Sequence, residues 1–456
     1  IKDETLAVSS EKPKVEVIRI DKQEAARLDK IACEIIKVKA KRKDVSVMDL
    51  VVAVNQGVYT VKKALAYYEA VVRDTKFDIS DADELERLDE LCQRALQYSF
   101  DSGQPLSIQE LVIHLDFSII DAQKVILYYN SQFTLNWADE NERNSLDEVS
   151  RQVVKYLTTV NEKPSVAELV SRLILPLKKA KLVIPFINKV VSEDLSFQFV
   201  YDEKLDKIAS QIVKSQKDQI EKEFNLIELA AQLDVGIYTL KKALSYYDWV
   251  ISSVTLSSIE SFSETKRNNL DKKAKRVLKT CFEANLPLNI TSIVSHLNVG
   301  VYEAKEILSY YEQITRLEFN FDEIAEDERA HIDGLAREIY DAVQKESISG
   351  YILEEIVAVL GFGVLDSWKA INYLKQKIIP DLSVSAPAII ATDMQIGVTS
   401  SQVEVAESLT ASDFTLEVQS GTVKIEDQTY NLQQLSLIHI SEPTRPLYIS
   451  YAVFCL

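Results

Sequence analysis

Apolar residues fall at three- and four-residue spacing through LDKIASQIVKSQ (205–216), LDKKAKRVLKTCF (270–282) and LDEVSRQVVKYL (146–157). That is the period of an amphipathic helix. A polar link follows each such stretch along the chain, often with a proline, as at Pro105, Pro164 and Pro287. A shorter apolar-periodic stretch comes next, opened by a polar residue with an acid three places on: Ser46/Asp49, Ser107/Glu110, Ser165/Glu168 and Asn225/Glu228. In this spacing the cap oxygen and the carboxylate each satisfy the other residue's backbone N–H, so a second helix is predicted to begin there. Asn289 with Ser292 is a weaker version, and Ile352 stands where the cap is lost.

The second helix runs into a turn such as LDVG (233–236), LNVG (297–300) or LGFG (360–363), and a longer third helix follows. Gly57, Gly236, Gly300 and Gly363 are expected to take a left-handed backbone between the two helices. Ser118 takes that place once, and Pro176 lies near it in another copy. After the third helix the period changes to two, in FTLNW (133–137), FQFVY (197–201), LEFNF (317–321) and FDIS (77–80). VEVIRI (15–20) and LSVS (382–385) stand in the same relation to their neighbours. Alternation predicts short, half-buried strands.

This order repeats. A Leu-Asp pair occurs at 28–29, 88–89, 146–147, 205–206 and 270–271, with Ile332-Asp333 as a sixth. An aromatic or apolar doublet keeps step with it: Tyr67-Tyr68, Tyr128-Tyr129, Phe186-Ile187, Tyr246-Tyr247, Tyr310-Tyr311 and Tyr373-Leu374. GVYTVKKALAYY (57–68) and GIYTLKKALSYY (236–247) are therefore third helices of two copies. A mainly α chain is expected, made of six tandem trihelical repeats of ~60 residues with short strands. The boundaries expected are an N-terminal segment with a short strand at 1–20 and units at 21–80, 81–139, 140–201, 202–258, 259–321 and 322–381. A Ser/Thr/Ala-rich linker (382–412) and the start of a β domain (413–434), with a turn at Ser420-Gly421, complete the native part.

The order helix, helix, turn, helix, strand, as in NLIELAAQLDVGIYTLKKALSYYDWV (225–250), resembles winged-helix domains of the helix-turn-helix class. The resemblance covers residues 23–380 and lacks a second wing strand. It implies a third helix able to enter a DNA major groove. A continuous α-solenoid, each unit burying its open face on the next, is the competing architecture. Residues 435–456 carry another resemblance: LSLIHISEPTR (435–445) and ISYAVFCL (449–456) read as translated sequencing-adapter DNA. With Ile1 in place of an initiator methionine, a fragment is expected whose native sequence continues past Gln434.

Charge bears on the DNA reading. The net charge is −18, which opposes nonspecific phosphate binding. Its distribution is uneven: residues 1–73 carry about +4, 74–148 about −12, 149–311 about +4 and 312–366 about −10. Lys62, Lys63, Lys178, Lys179, Lys181, Lys241 and Lys242 make three of the third helices basic, so units one, three and four are the nucleic-acid candidates. No arginine, the usual reader of guanine, stands among them. In the tyrosine doublets (Tyr67, Tyr68, Tyr128, Tyr129, Tyr246, Tyr247, Tyr310, Tyr311) one ring of each pair is expected in the core and the other partly exposed. Such rings serve repeat packing or form a partner face.

Candidate chemistry is sparse. His114 and His296 sit where other units have Ala53, Arg172, Gln232 and Val359, and His331 stands apart. No nucleotide-binding, nucleophile-elbow or zinc-protease motif occurs. Cys33, Cys92 and Cys281 have neither disulfide nor metal spacing, which points to a reducing, cytoplasmic setting. No cofactor, metal, small-molecule substrate or membrane span is expected. The leading expectation is a non-catalytic scaffold for protein partners. A nucleic-acid-binding regulator, or the N-terminal part of an enzyme whose catalytic domain lies downstream, are the alternatives.

Overall fold

The computed structural model describes residues 21–42, 44–76, 81–160, 163–216, 224–254, 258–389, 398–399, 402–404, 422–425 and 428–431. Among them the chain is mainly α-helical, in a recurring order of long, short and long helices. The first helices are α1 (Lys22–Lys41), α4 (Ala82–Ser102), α7 (Glu140–Leu157), α10 (Glu203–Gln216), α13 (Glu264–Glu283) and α16 (Glu326–Gln344). The short second helices are α2 (Val47–Ala53), α5 (Ile108–Leu115), α8 (Val166–Leu173), α11 (Leu226–Leu233), α14 (Ile290–Leu297) and α17 (Leu353–Leu360). The third helices are α3 (Val58–Asp74), α6 (Ile119–Asn130), α9 (Leu177–Ser192), α12 (Ile237–Ser253), α15 (Val301–Thr315) and α18 (Val364–Tyr373).

The caps form largely as their spacing requires. Ser46 with Asp49 and Ser165 with Glu168 make complete capping boxes at α2 and α8. Ser107 and Asn289 accept from the third residue of their helices, Asn225 accepts from Ile227, and Ile352 contributes no side-chain cap. The glycines differ from expectation. Gly57, Gly236, Gly300 and Gly363 have φ of −66°, −68°, −71° and −64° and are the residues that start the third helices. The left-handed residue lies two places earlier in every copy: Asn55, Asp116, Ile174, Asp234, Asn298 and Gly361. Asn, Asp and Gly tolerate that region best, so the turn's chemistry resides there.

The alternating segments also differ from expectation. In 133–137, 197–201 and 317–321, burial mostly alternates residue by residue, but no ladder forms. Among the described residues none of the three has a second strand to pair its N–H and C=O groups. The strands present are elsewhere. β1 (Phe224–Asn225) pairs in parallel with β2 (Val398–Thr399), and Ile352 bridges to Ser385. β3 (Thr422–Ile425) and β4 (Gln428–Asn431) pair in antiparallel fashion with Ile425 opposite Gln428, while Ser420-Gly421 lies outside the described residues. The segments 15–20, 77–80 and 435–456 lie outside the described residues.

The chain divides into two compact bodies. The first takes in residues 1–133, 165–180 and 406–456, the second 134–164 and 181–405. The division ignores the sequence units: α8 belongs to the first body and α7 to the second. The reason is local packing. A first helix lies against its own third helix, as in α1 with α3, α10 with α12 and α16 with α18. It also lies against the second helix of the next triplet, as in α1 with α5, α4 with α8, α7 with α11, α10 with α14 and α13 with α17. Both faces are apolar; Ile36, Leu96, Val154 and Val213 are fully buried and Leu278 nearly so.

Leu244 on α12 is buried, as are its counterparts Ile184, Leu308 and Ile371, while the counterparts Leu65 and Ile126 are half-buried. Leu244→Ala empties such a site and is expected to cost about 2–5 kcal/mol in urea unfolding. A cost well under about 1 kcal/mol would mean that the surroundings close over the gap.

Candidate functional site: carboxylate clamps between successive triplets

The aspartate of each Leu-Asp pair has a defined task. It lies on the first helix, and its carboxylate accepts hydrogen bonds from the opening N–H groups of the third helix in the next triplet. Asp29 receives Ile119 N at 3.1 Å, and Asp89 receives Leu177 N at 2.9 Å. Asp147 receives Tyr238 N at 2.8 Å, Thr239 N at 3.2 Å and the Thr239 hydroxyl at 2.5 Å. Asp206 receives Tyr302 N at 2.8 Å; Asp271 receives Val364 N at 3.2 Å and Leu365 N at 3.0 Å. Each carboxylate thus does from outside what an N-cap side chain does from within, at the positive end of the helix dipole.

This explains the glycines. A Cβ on Gly236, Gly300 or Gly363 would run into the carboxylate of Asp147, Asp206 or Asp271. Glycine is needed there for close approach, not for a left-handed backbone. Gly57 has no preceding triplet among the described residues, and a Cβ on it would meet nothing within 4 Å.

A second contact grips the other side of the turn. Basic residues four or eight places after the clamping aspartate reach the left-handed residue that ends the next second helix. Lys37 pairs with Asp116 at 2.5 Å, Lys214 donates to Asn298 at 2.7 Å, and Lys275 donates to the Gly361 carbonyl. Arg151 holds both oxygens of Asp234, at 2.6 and 2.8 Å, and Lys155 adds a third bond. Hydrogen bonds from these two cations hold the Asp234 carboxyl well below the usual carboxylate range. The second-helix C-terminus, the negative end of its dipole, thereby meets a cation. Ile174 stands at the turn facing Asp89, where Gln93 and Gln97 occupy the basic positions.

The tyrosine doublets complete the site from behind. In three of the four pairs the first hydroxyl donates to the clamping aspartate of its own triplet: Tyr128 to Asp89 at 2.8 Å, Tyr310 to Asp271 at 3.3 Å and Tyr67 to Asp29 at 3.5 Å. Where Phe186 lacks a hydroxyl, Asp147 receives hydroxyls from Ser150 and Thr239 instead. Both rings of every Tyr-Tyr pair are buried, Tyr246 and Tyr310 completely. The expected half-exposed ring, and with it a partner face made of Tyr67, Tyr68, Tyr128, Tyr129, Tyr246, Tyr247, Tyr310 and Tyr311, is not present. Third helices also pack on each other, as α3 on α6, α12 on α15 and α15 on α18, so more than one face of them is covered.

The lysines are largely engaged. Lys241 donates to the carbonyls of Val190 and Glu193, closing the end of α9, and burial lowers its pKa. Lys63 pairs with Glu24 at 2.8 Å. Lys178 is exposed, while Lys62, Lys179, Lys181 and Lys242 are half-buried. His114 stacks on Tyr98 and lies 3.4 Å from Glu110; the His296 ring nitrogen lies 2.9 Å from the Ser292 carbonyl. An open cleft of about 810 Å³ is lined by Lys155, Thr158, Asn225, Glu228 and Gln232. Its lysine is already bound to Asp234. Among the described residues no His, Cys, Asp and Glu side chains gather in a metal-binding group, and no helix is long and apolar enough to cross a membrane.

The Leu-Asp periodicity was visible in the sequence as a marker of register; its clamping role was not. Compared with known proteins, the chain matches no family model, no curated protein and no solved structure.

Burial raises the carboxyl pKa of Asp29, Asp147, Asp206 and Asp271, against the opposing pull of the N–H groups they accept from. For Asp147 the folded chain therefore holds a proton more tightly than the unfolded chain. The resulting stabilisation is complete below the ordinary value of 3.8 and is lost as pH rises through the raised folded value. Asp147→Asn keeps an acceptor without the charge and should remove this part of the pH dependence in urea unfolding at little cost near neutrality. Asp147→Ala orphans buried N–H groups and should cost about 1–3 kcal/mol. Equal damage from both variants would contradict the clamp.

Proposed function

We propose that the chain is a non-catalytic array of six equivalent trihelical units, winged-helix-like with single unpaired wing segments, that serves as a scaffold for protein partners. The observation that carries this reading is the use made of the third helices. A helix-turn-helix reader places the N-terminal residues of that helix against base edges. Here the opening turn of α6, α9, α12, α15 and α18 is covered by a carboxylate of the preceding triplet. A carboxylate at that position repels phosphate, and Lys241 is already committed to backbone carbonyls. What the triplets supply is a series of coupled helices whose acidity is concentrated in residues 74–148 and 312–366.

The nucleic-acid alternative is tested with labelled duplex DNA at about 50 mM salt, where lysine–phosphate binding is strongest. The scaffold reading expects no binding there, and expects proteins captured on the array to stay bound after nuclease treatment. DNA binding that weakens with salt and disappears in Lys178→Glu with Lys179→Glu would overturn it.

A further inference from the structure

Among the described residues five clamps join successive triplets, and two halves are unused. One is Asp333 on α16, the counterpart of the clamping aspartates. Its carboxylate is turned onto Arg337 of the same helix at 2.7 Å. Arg337 occupies the position, four residues on, from which Arg151 and Lys275 grip the next turn. The face of α16 corresponding to the inter-triplet contact is also open. Tyr340 is 40% exposed, whereas its counterparts Ile36, Leu96, Val154 and Val213 are 0% and Leu278 is 1% exposed.

The other is the unclamped turn between α2 and α3. Gly57 starts α3 with space beside it where Gly236, Gly300 and Gly363 meet a carboxylate. Val58 is half-buried, while Ile119, Leu177, Ile237, Val301 and Val364 are at most 1% exposed. Tyr59 is 70% exposed. The equivalent Tyr238 packs on Trp137, Phe186 and Phe197, and Tyr302 on Tyr201 and Trp249. Val52 and Met48 on α2 are exposed as well, at 78% and 56%. The two ends carry opposite charge, about +4 over residues 1–73 and about −10 over 312–366.

We propose that these ends are complementary halves of one contact: the last triplet of one molecule seats on the first triplet of a second copy. Asp333 caps the N–H groups of Val58 and Tyr59, Arg337 reaches the Asn55 turn, and Tyr340 covers the open face of α2. The occupant is a second copy because the same stereochemistry is built five times within the chain, so each end already has the shape of its mate. The two surfaces differ, so the contact is heterologous and leads to an open series or a ring, not a closed two-fold dimer. Opposite charge would speed the encounter and make it salt-sensitive.

The inference rests on the array reading above, and sedimentation velocity of the intact chain tests it. The average mass should exceed that of the monomer, rise with concentration and fall with salt. Gly57→Val fills the space reserved for the carboxylate at a backbone conformation that valine accepts (φ −66°). Asp333→Arg reverses the jaw at a half-buried site beside the exposed Arg337. Each variant alone should stay monomeric with unchanged thermal unfolding. Mixed in equal amounts they should form a one-to-one dimer and nothing larger, since each keeps the half that the other lacks. Tyr340→Glu, at an exposed position, is a second block on the same end. A wild-type chain that is monomeric at every concentration, or association that survives both end variants, would overturn the proposal. If Asp147→Ala still destabilises such a monomer, the array reading stands and only this inference falls.

Discussion

A helix leaves its first N–H groups without partners inside the helix, and in this chain a carboxylate from the preceding triplet supplies them. That single requirement explains several features at once. It keeps an aspartate after the leucine of each first helix. It calls for glycine where the carboxylate comes closest, and it places a tyrosine hydroxyl behind Asp29, Asp89 and Asp271. The bond spans about ninety residues of sequence each time, so it belongs to the coupling of triplets and not to the folding of any one of them.

The same geometry sets the electrostatics. A first helix presents an aspartate to the start of one helix and, in four of five cases, a basic side chain to the end of another. Both helix dipoles are thus met by the appropriate charge. Burial of these carboxylates carries a desolvation cost, visible in the raised pKa of Asp29, Asp147, Asp206 and Asp271. The apolar contact alongside, through residues such as Ile36 and Leu96, provides the non-directional part of the attachment, and the clamp fixes its register.

How much of this was legible in the sequence follows from the range of each signal. Helical periodicity and the Ser46/Asp49 type of cap are local, and they form as read. The left-handed residue lies two places before the glycine: glycine is the stronger turn signal, yet Asn55, Asp116, Asp234 and Asn298 carry the turn. Alternation in 133–137 and 317–321 did report burial, but a strand also needs a partner, which alternation cannot show. The tyrosine doublets were read as one ring in and one ring out because a lone helix has one inner face; α12 and its equivalents pack on two sides. The clamp lay beyond reach because nothing in the spacing of Leu205-Asp206 says that its acceptor will meet Tyr302.

The central claim is that external carboxylates cap the third helices, and amide hydrogen exchange on the wild-type chain at low concentration tests it most directly. The N–H groups of Tyr238, Thr239, Tyr302 and Leu365 are bound to Asp147, Asp206 and Asp271 and should be strongly protected. Those of Val58 and Tyr59, at the start of a third helix that has no clamp among the described residues, should exchange at rates close to an exposed helix end. Comparable exchange at all of these positions would contradict the account.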